Sequence, residues 1–72
     1  MASVAKTVEI SAQSTESFEA ACKAAVQRAG KTIKNIQSAW VKEENLVIEN
    51  NAVVAYRVHL KITFLVGEGG EV

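Results

Sequence analysis

Eight basic and eight acidic side chains cancel over 72 residues, so the chain has no electrostatic reason to bind nucleic acid or an anionic membrane surface. A single cysteine and a single histidine exclude an intrachain disulfide and a zinc constellation; the staple that so small a scaffold needs is expected from self-association. The opening MASVAKTVEI lacks the apolar core of a signal peptide, and no apolar run approaches the roughly 18 residues of a membrane span, so a cytoplasmic location is expected.

Val4 to Ile10 predicts a first strand, with Val4, Val8 and Ile10 on one side and Ala5, Thr7 and Glu9 on the other. Lys6 interrupts the apolar side. Ser11 to Ser14 reads as a polar connection, and Ser14 is the expected N-cap because its hydroxyl can accept from a first-turn amide. Glu16 and Glu19 then fall in the opening turns, where the helix dipole favours negative charge. Phe18, Cys22, Ala25, Ala29 and Ile33 follow helical spacing, widened by Ala21 and Val26, while Glu19 and Lys23 form an i,i+4 pair. Gly30 either ends the helix in a left-handed cap or sits inside a helix running on to about Lys34, at a cost of about 1 kcal/mol.

A second strand is expected from about Ile36 to Glu49. Asn50 and Asn51 form a two-residue hairpin turn, since asparagine tolerates positive φ. In the third strand Tyr56, Val58, Leu60, Ile62, Phe64 and Val66 alternate with Arg57, His59, Lys61, Thr63 and Leu65. Strict pairing outward from the turn sets Lys61 opposite Trp40 and Arg57 opposite Glu44, allowing a cation–π contact and an ion pair, unless a bulge in the second strand slips the register. The order is β-α-β-β, an α+β fold with a three-stranded antiparallel sheet wrapped around one helix. Phe18, Cys22, Ala25 and Ala29 should pack on Tyr56, Val58, Leu60 and Ile62. One helix covers one side of a sheet, so the other face is expected to meet neighbouring subunits.

With KTIKNI closing the helix, VKE in the second strand, IENN at the turn and AYRVHLKITF in the third strand, the chain resembles the dodecins, without gaps from about Val4 to Val66. A chain of this length makes one domain over residues 1–72, with an ordered core expected over about 4–66 and a flexible tail over 67–72 marked by Gly67, Gly69 and Gly70. The resemblance implies a closed homododecamer that stores a flavin (FMN, FAD or riboflavin) between subunits and catalyses nothing. Typical members have a flavin-stacking tryptophan where this chain has Ser38, and a glutamine that hydrogen-bonds the ring edge where it has Arg57. Serine has no π-face and arginine donates without accepting, so flavin binding in that mode is expected to be weakened. Trp40 lies two residues on, hence on the same strand face, and offers an alternative aromatic surface about 6–7 Å away.

The ligand-binding candidates are therefore Trp40, Ser38 and Arg57, with Arg57–Glu44 as an interface ion pair. Arg57, His59 and Lys61 make a basic row, read as a solvated face or as a lining for an anion. Glu43, Glu44, Asn45, Glu49, Asn50 and Asn51 supply hard oxygens without calcium-loop spacing, which leaves a divalent cation held between subunits as the alternative to flavin. No motif joins His59 to a nucleophile, and Cys22 is expected to be an inert core residue.

Overall fold

The structure, a computed structural model, describes residues 3–66; the tail expected over 67–72 lies outside the described residues. Strand β1 (Val4–Ser14), helix α1 (Phe18–Ala29), strand β2 (Ile36–Glu49) and strand β3 (Ala52–Val66) follow in the expected order. β3 is the central strand of an antiparallel sheet ordered β1-β3-β2. Among the described residues, no helix is long and apolar enough to cross a membrane.

β1 runs four residues beyond the expected Ile10, because Ser11, Ala12, Gln13 and Ser14 pair with His59, Val58, Arg57 and Tyr56. These residues alternate like a strand, but both faces of the segment are polar or small, so their periodicity carries no hydrophobic signal. Ser14 consequently stays in the strand, its hydroxyl accepting from the Glu16 amide at 2.9 Å. The helix is capped instead by Ser17, an extended residue whose Oγ accepts from the Ala20 amide at 2.9 Å. Glu19 occupies the first turn and pairs with Lys23 at 3.1 Å, while Glu16 precedes the cap.

At the other end neither alternative for Gly30 holds. Helix α1 stops at Ala29, and Gly30 caps it in right-handed geometry at φ −66°. The chain then tightens into a turn in which Thr32 and Ile33 amides both donate to the Ala29 carbonyl. The left-handed residue comes later, at Asn35 with φ 65°.

Val58, Leu60 and Ile62 of β3 are fully buried against Ala21, Ala25 and Ala29 of the helix, with Val8, Ile10, Phe18, Cys22 and Ile33 around them. The three alanines are the reason this helix can lie close to the sheet. Each of the three large β3 side chains contributes roughly 1.5–3 kcal/mol by leaving water. Phe18 meets Tyr56 edge to face, with centroids 5.2 Å apart. Val26, expected on this face, is instead 36% exposed.

A 12-residue helix is about 18 Å long, whereas the 15-residue β3 reaches about 50 Å. The molecule accordingly measures 54 × 19 × 13 Å. Helix α1 packs on β1 and β3, and among the described residues no helix covers the far part of the β2–β3 hairpin. Leu46, Ile48, Val53 and Val54 are exposed there.

Asn50 and Asn51 both take positive φ, 52° and 64°, the geometry that matches the twist of paired strands. Pairing starts in the expected register, Glu49 with Ala52 and Ile48 with Val53. Irregularities at Val54 and Lys42 then shift the intervening stretch by one residue, and Val41–Leu60, Trp40–Lys61 and Ser38–Thr63 return to the expected register. Between the two shifts Arg57 faces Asn45, and Glu44 faces Val58. The Arg57–Glu44 pair is therefore not formed within the chain: a one-residue slip moves Glu44 to the helix side of the sheet.

Candidate ligand-binding face

The sheet face away from the helix gathers Glu9, Ser11 and Gln13 from β1, Arg57, His59, Lys61 and Thr63 from β3, and Ser38, Trp40, Glu43 and Asn45 from β2. Arg57 is held by Gln13, whose Oε1 accepts from Nε at 3.1 Å and from Nη2 at 3.0 Å. His59 spans two partners on β1: Ser11 Oγ lies 2.7 Å from Nδ1 and Glu9 Oε1 lies 3.2 Å from Nε2. Lys42 reaches over β3 to Glu9 Oε2 at 3.3 Å. The hydrogen bonds from His59 and Lys42, with the Lys42 charge, hold the Glu9 carboxyl below the usual carboxylate range.

This network was invisible in the sequence, because its partners lie 33 to 50 residues apart and the segment supplying Ser11 and Gln13 reads as a connection. The basic row is thus mostly engaged: Arg57 with Gln13, His59 with Glu9 and Ser11. Ser11, His59 and Glu9 follow the order hydroxyl, imidazole, carboxylate. They lie flat across a sheet face, however, where strand amides point along the sheet plane into ladder bonds rather than toward a bound carbonyl. The line bridges β1 to β3.

Trp40 is 67% exposed and shares this face with Ser38 and, through its register partner, with Lys61. Arg57 is four residues from Lys61 along β3, about 13 Å. Within one chain the Arg57 guanidinium is turned toward Gln13 on β1, away from Trp40 on β2. Sequence reasoning placed Trp40, Ser38 and Arg57 on one face, and the register agrees; it brings Trp40 and Ser38 together and leaves Arg57 apart.

The oxygen-bearing residues of β2 do not converge. Glu43 faces His59 on the outer face, Glu44 points to the helix side, and Glu49, Asn50 and Asn51 are at the hairpin end. Among the described residues no group of three or more His, Cys, Asp or Glu side chains stands close enough to hold a metal ion. Burial pushes the Cys22 thiol up, with Glu44 and Glu19 adding to the effect, so this cysteine is not an activated nucleophile. A cavity of about 520 Å³ opens between the helix and the β1 edge, lined by Ile10, Ala12, Ala25, Arg28 and Thr32, on the opposite side of the sheet from Trp40.

A family model described as Dodecin matches residues 4–67. The calcium dodecin of Mycobacterium tuberculosis is 34% identical over 62 residues, covering 86% of this chain and 87% of that protein. A crystal structure of a point variant of the Thermus thermophilus dodecin superposes with a TM-score of 0.87 at 37% identity, covering 93% of this chain and all of the other. The crystal structure of a calcium-chelating calcium dodecin from Mycobacterium tuberculosis, described with a novel calcium-binding site, gives a TM-score of 0.79 at 29% identity over 96% of this chain and 99% of that one.

Proposed function

The chain belongs to the dodecin family, and we propose that it forms a closed homododecamer of single-domain subunits that binds and stores a small aromatic ligand between them in the cytoplasm, without catalysis. The observation that carries this reading is Trp40. A tryptophan 67% exposed in the middle of a sheet face, on a chain whose only described helix covers the opposite face, presents an aromatic surface left largely uncovered by the described residues. Ser38 lies beside it on the same strand face, and Arg57 from another copy supplies a polar contact.

A flavin (riboflavin, FMN or FAD) is the leading ligand. Its ring would stack on Trp40 and its edge would meet donors from Arg57, a weaker arrangement than a tryptophan at position 38 with a two-way amide at position 57. Two measurements test this: light scattering for particle mass, and quenching of flavin fluorescence on titration with protein. A folded monomer at micromolar concentration refutes the assembly. Undiminished quenching by the Trp40→Ala variant refutes the stacking role.

The second reading, a non-flavin cation-binding dodecin, is favoured by the calcium dodecin relative. Glu43 and Asn45 share the outer face, so copies meeting there would bring hard oxygens together that one chain keeps apart. Calcium-dependent thermal stabilisation, lost in a Glu43→Gln variant, is the outcome this reading expects.

A further inference from the structure

Two apolar surfaces on the helix side of the sheet lack cover among the described residues, and they complement each other. The first is the cavity of about 520 Å³ between α1 and the β1 edge, walled by Ile10, Ala12, Ala25, Ala29 and Ile33. The second is the far end of the hairpin. Leu46 pairs with Tyr56, which meets Phe18, and Ile48 pairs with Val53. Alternation along β2 therefore carries the core face of the sheet past the start of the helix, where Leu46, Ile48 and Val53 are exposed. Arg28 is the one charged residue lining the cavity, and Glu49 is the one charged residue between Leu46 and Tyr56. A chain cannot join its own two surfaces: Val53 lies about 17 Å along β3 from Val58, the register partner of Ala12.

We propose that the hairpin end of one copy seats in the helix–β1 groove of the next. Leu46, Ile48 and Val53 lie against Ile10, Ala12 and Ile33, and Glu49 pairs with Arg28 at the rim. The inference rests on the assembly reading given above and adds which surfaces meet. A second copy is the occupant that fits, because it covers both exposed apolar surfaces at once and sets the one negative charge against the one positive charge. Each chain gives one hairpin and receives one, so the contact is heterologous. Such contacts close into rings, as a closed particle requires, and this one leaves the outer face with Trp40 untouched.

Light scattering and cross-linking with a short flexible bis-maleimide, both on a Cys22→Ala background, test the contact. Thr32→Cys at the cavity rim combined with Ile48→Cys should give a ladder of coupled chains longer than dimers, while each substitution alone should couple none. Arg28→Glu and Glu49→Arg should each raise the protomer concentration at half-assembly about fivefold, the order of an exposed ion pair. The two together should recover the wild-type value. Dimers from Ile48→Cys alone show hairpins meeting each other and overturn the proposal. A particle that assembles without a ladder, and ignores both charge reversals, leaves the groove to another occupant: the proposal falls and the assembly stands. A folded monomer at micromolar concentration overturns both.

Discussion

Arg57 and Gln13 should be energetically coupled, whereas Arg57 and Glu44 should not. The guanidinium sends two N–H groups, at 3.1 and 3.0 Å, to the single Oε1 of Gln13. A hydrogen bond to a charged group contributes roughly 1.5–3 kcal/mol when shielded, while an exposed charge contact contributes about 0.2–1 kcal/mol. Both side chains are exposed on the single chain, which puts the coupling near about 1 kcal/mol. Glu44 faces Val58 on the other side of the sheet, so its coupling to Arg57 should fall within the few tenths of a kcal/mol seen for independent sites. Two double-mutant cycles, Arg57→Ala with Gln13→Ala and Arg57→Ala with Glu44→Ala, measure both values by urea unfolding. Every variant must be compared at one protomer concentration, because subunit association contributes to apparent stability. A Glu44 coupling as large as that of Gln13 would refute the register and the two irregularities that set it.

Leu60→Ala removes a fully buried side chain from the centre of β3 and should cost about 2–5 kcal/mol; an unchanged urea midpoint would contradict the packing. Glu9 has a folded pKa lowered from its ordinary 4.5, so its contribution to stability is fully present above that value and lost as pH falls through the lower folded one. Glu9→Gln should therefore flatten the acid limb of the stability profile and leave the rest of the profile's shape unchanged, to be read from denaturation midpoints between neutral and acid pH. Ser38→Trp combined with Arg57→Gln should tighten riboflavin binding if the pocket between subunits is otherwise that of the family; fluorescence quenching no stronger than wild type would count against it.

Element types and the hairpin turn were legible because their signals are local. Alternation in β3, alanine spacing in α1 and two asparagines at the turn each act within a few residues. The missed features depend on what lies across the sheet. Ser11 to Gln13 become strand only because β3 offers ladder partners, and once they do so the N-cap passes from Ser14 to Ser17. Irregularities at Val54 and Lys42 leave no compositional mark, since neither site has a glycine or proline, so the Arg57–Glu44 pairing was beyond what turn geometry could decide. The outer-face network joins side chains more than thirty residues apart, and only the register of a central third strand brings them together.

The central position of β3 fixes the order in which the described fold can come into being during synthesis. β1 emerges first, yet its pairs join residues as distant as Val4 and Val66, and β2 likewise pairs only with β3. A nascent chain ending before Ala52 holds two strands that do not pair with each other and a helix without the Val58, Leu60 and Ile62 it packs against. No stable half-fold is therefore expected along the way. Contacts this distant in sequence make for slow closure of the sheet, and a product truncated within the hairpin would expose Val8 and Ile10 to other chains.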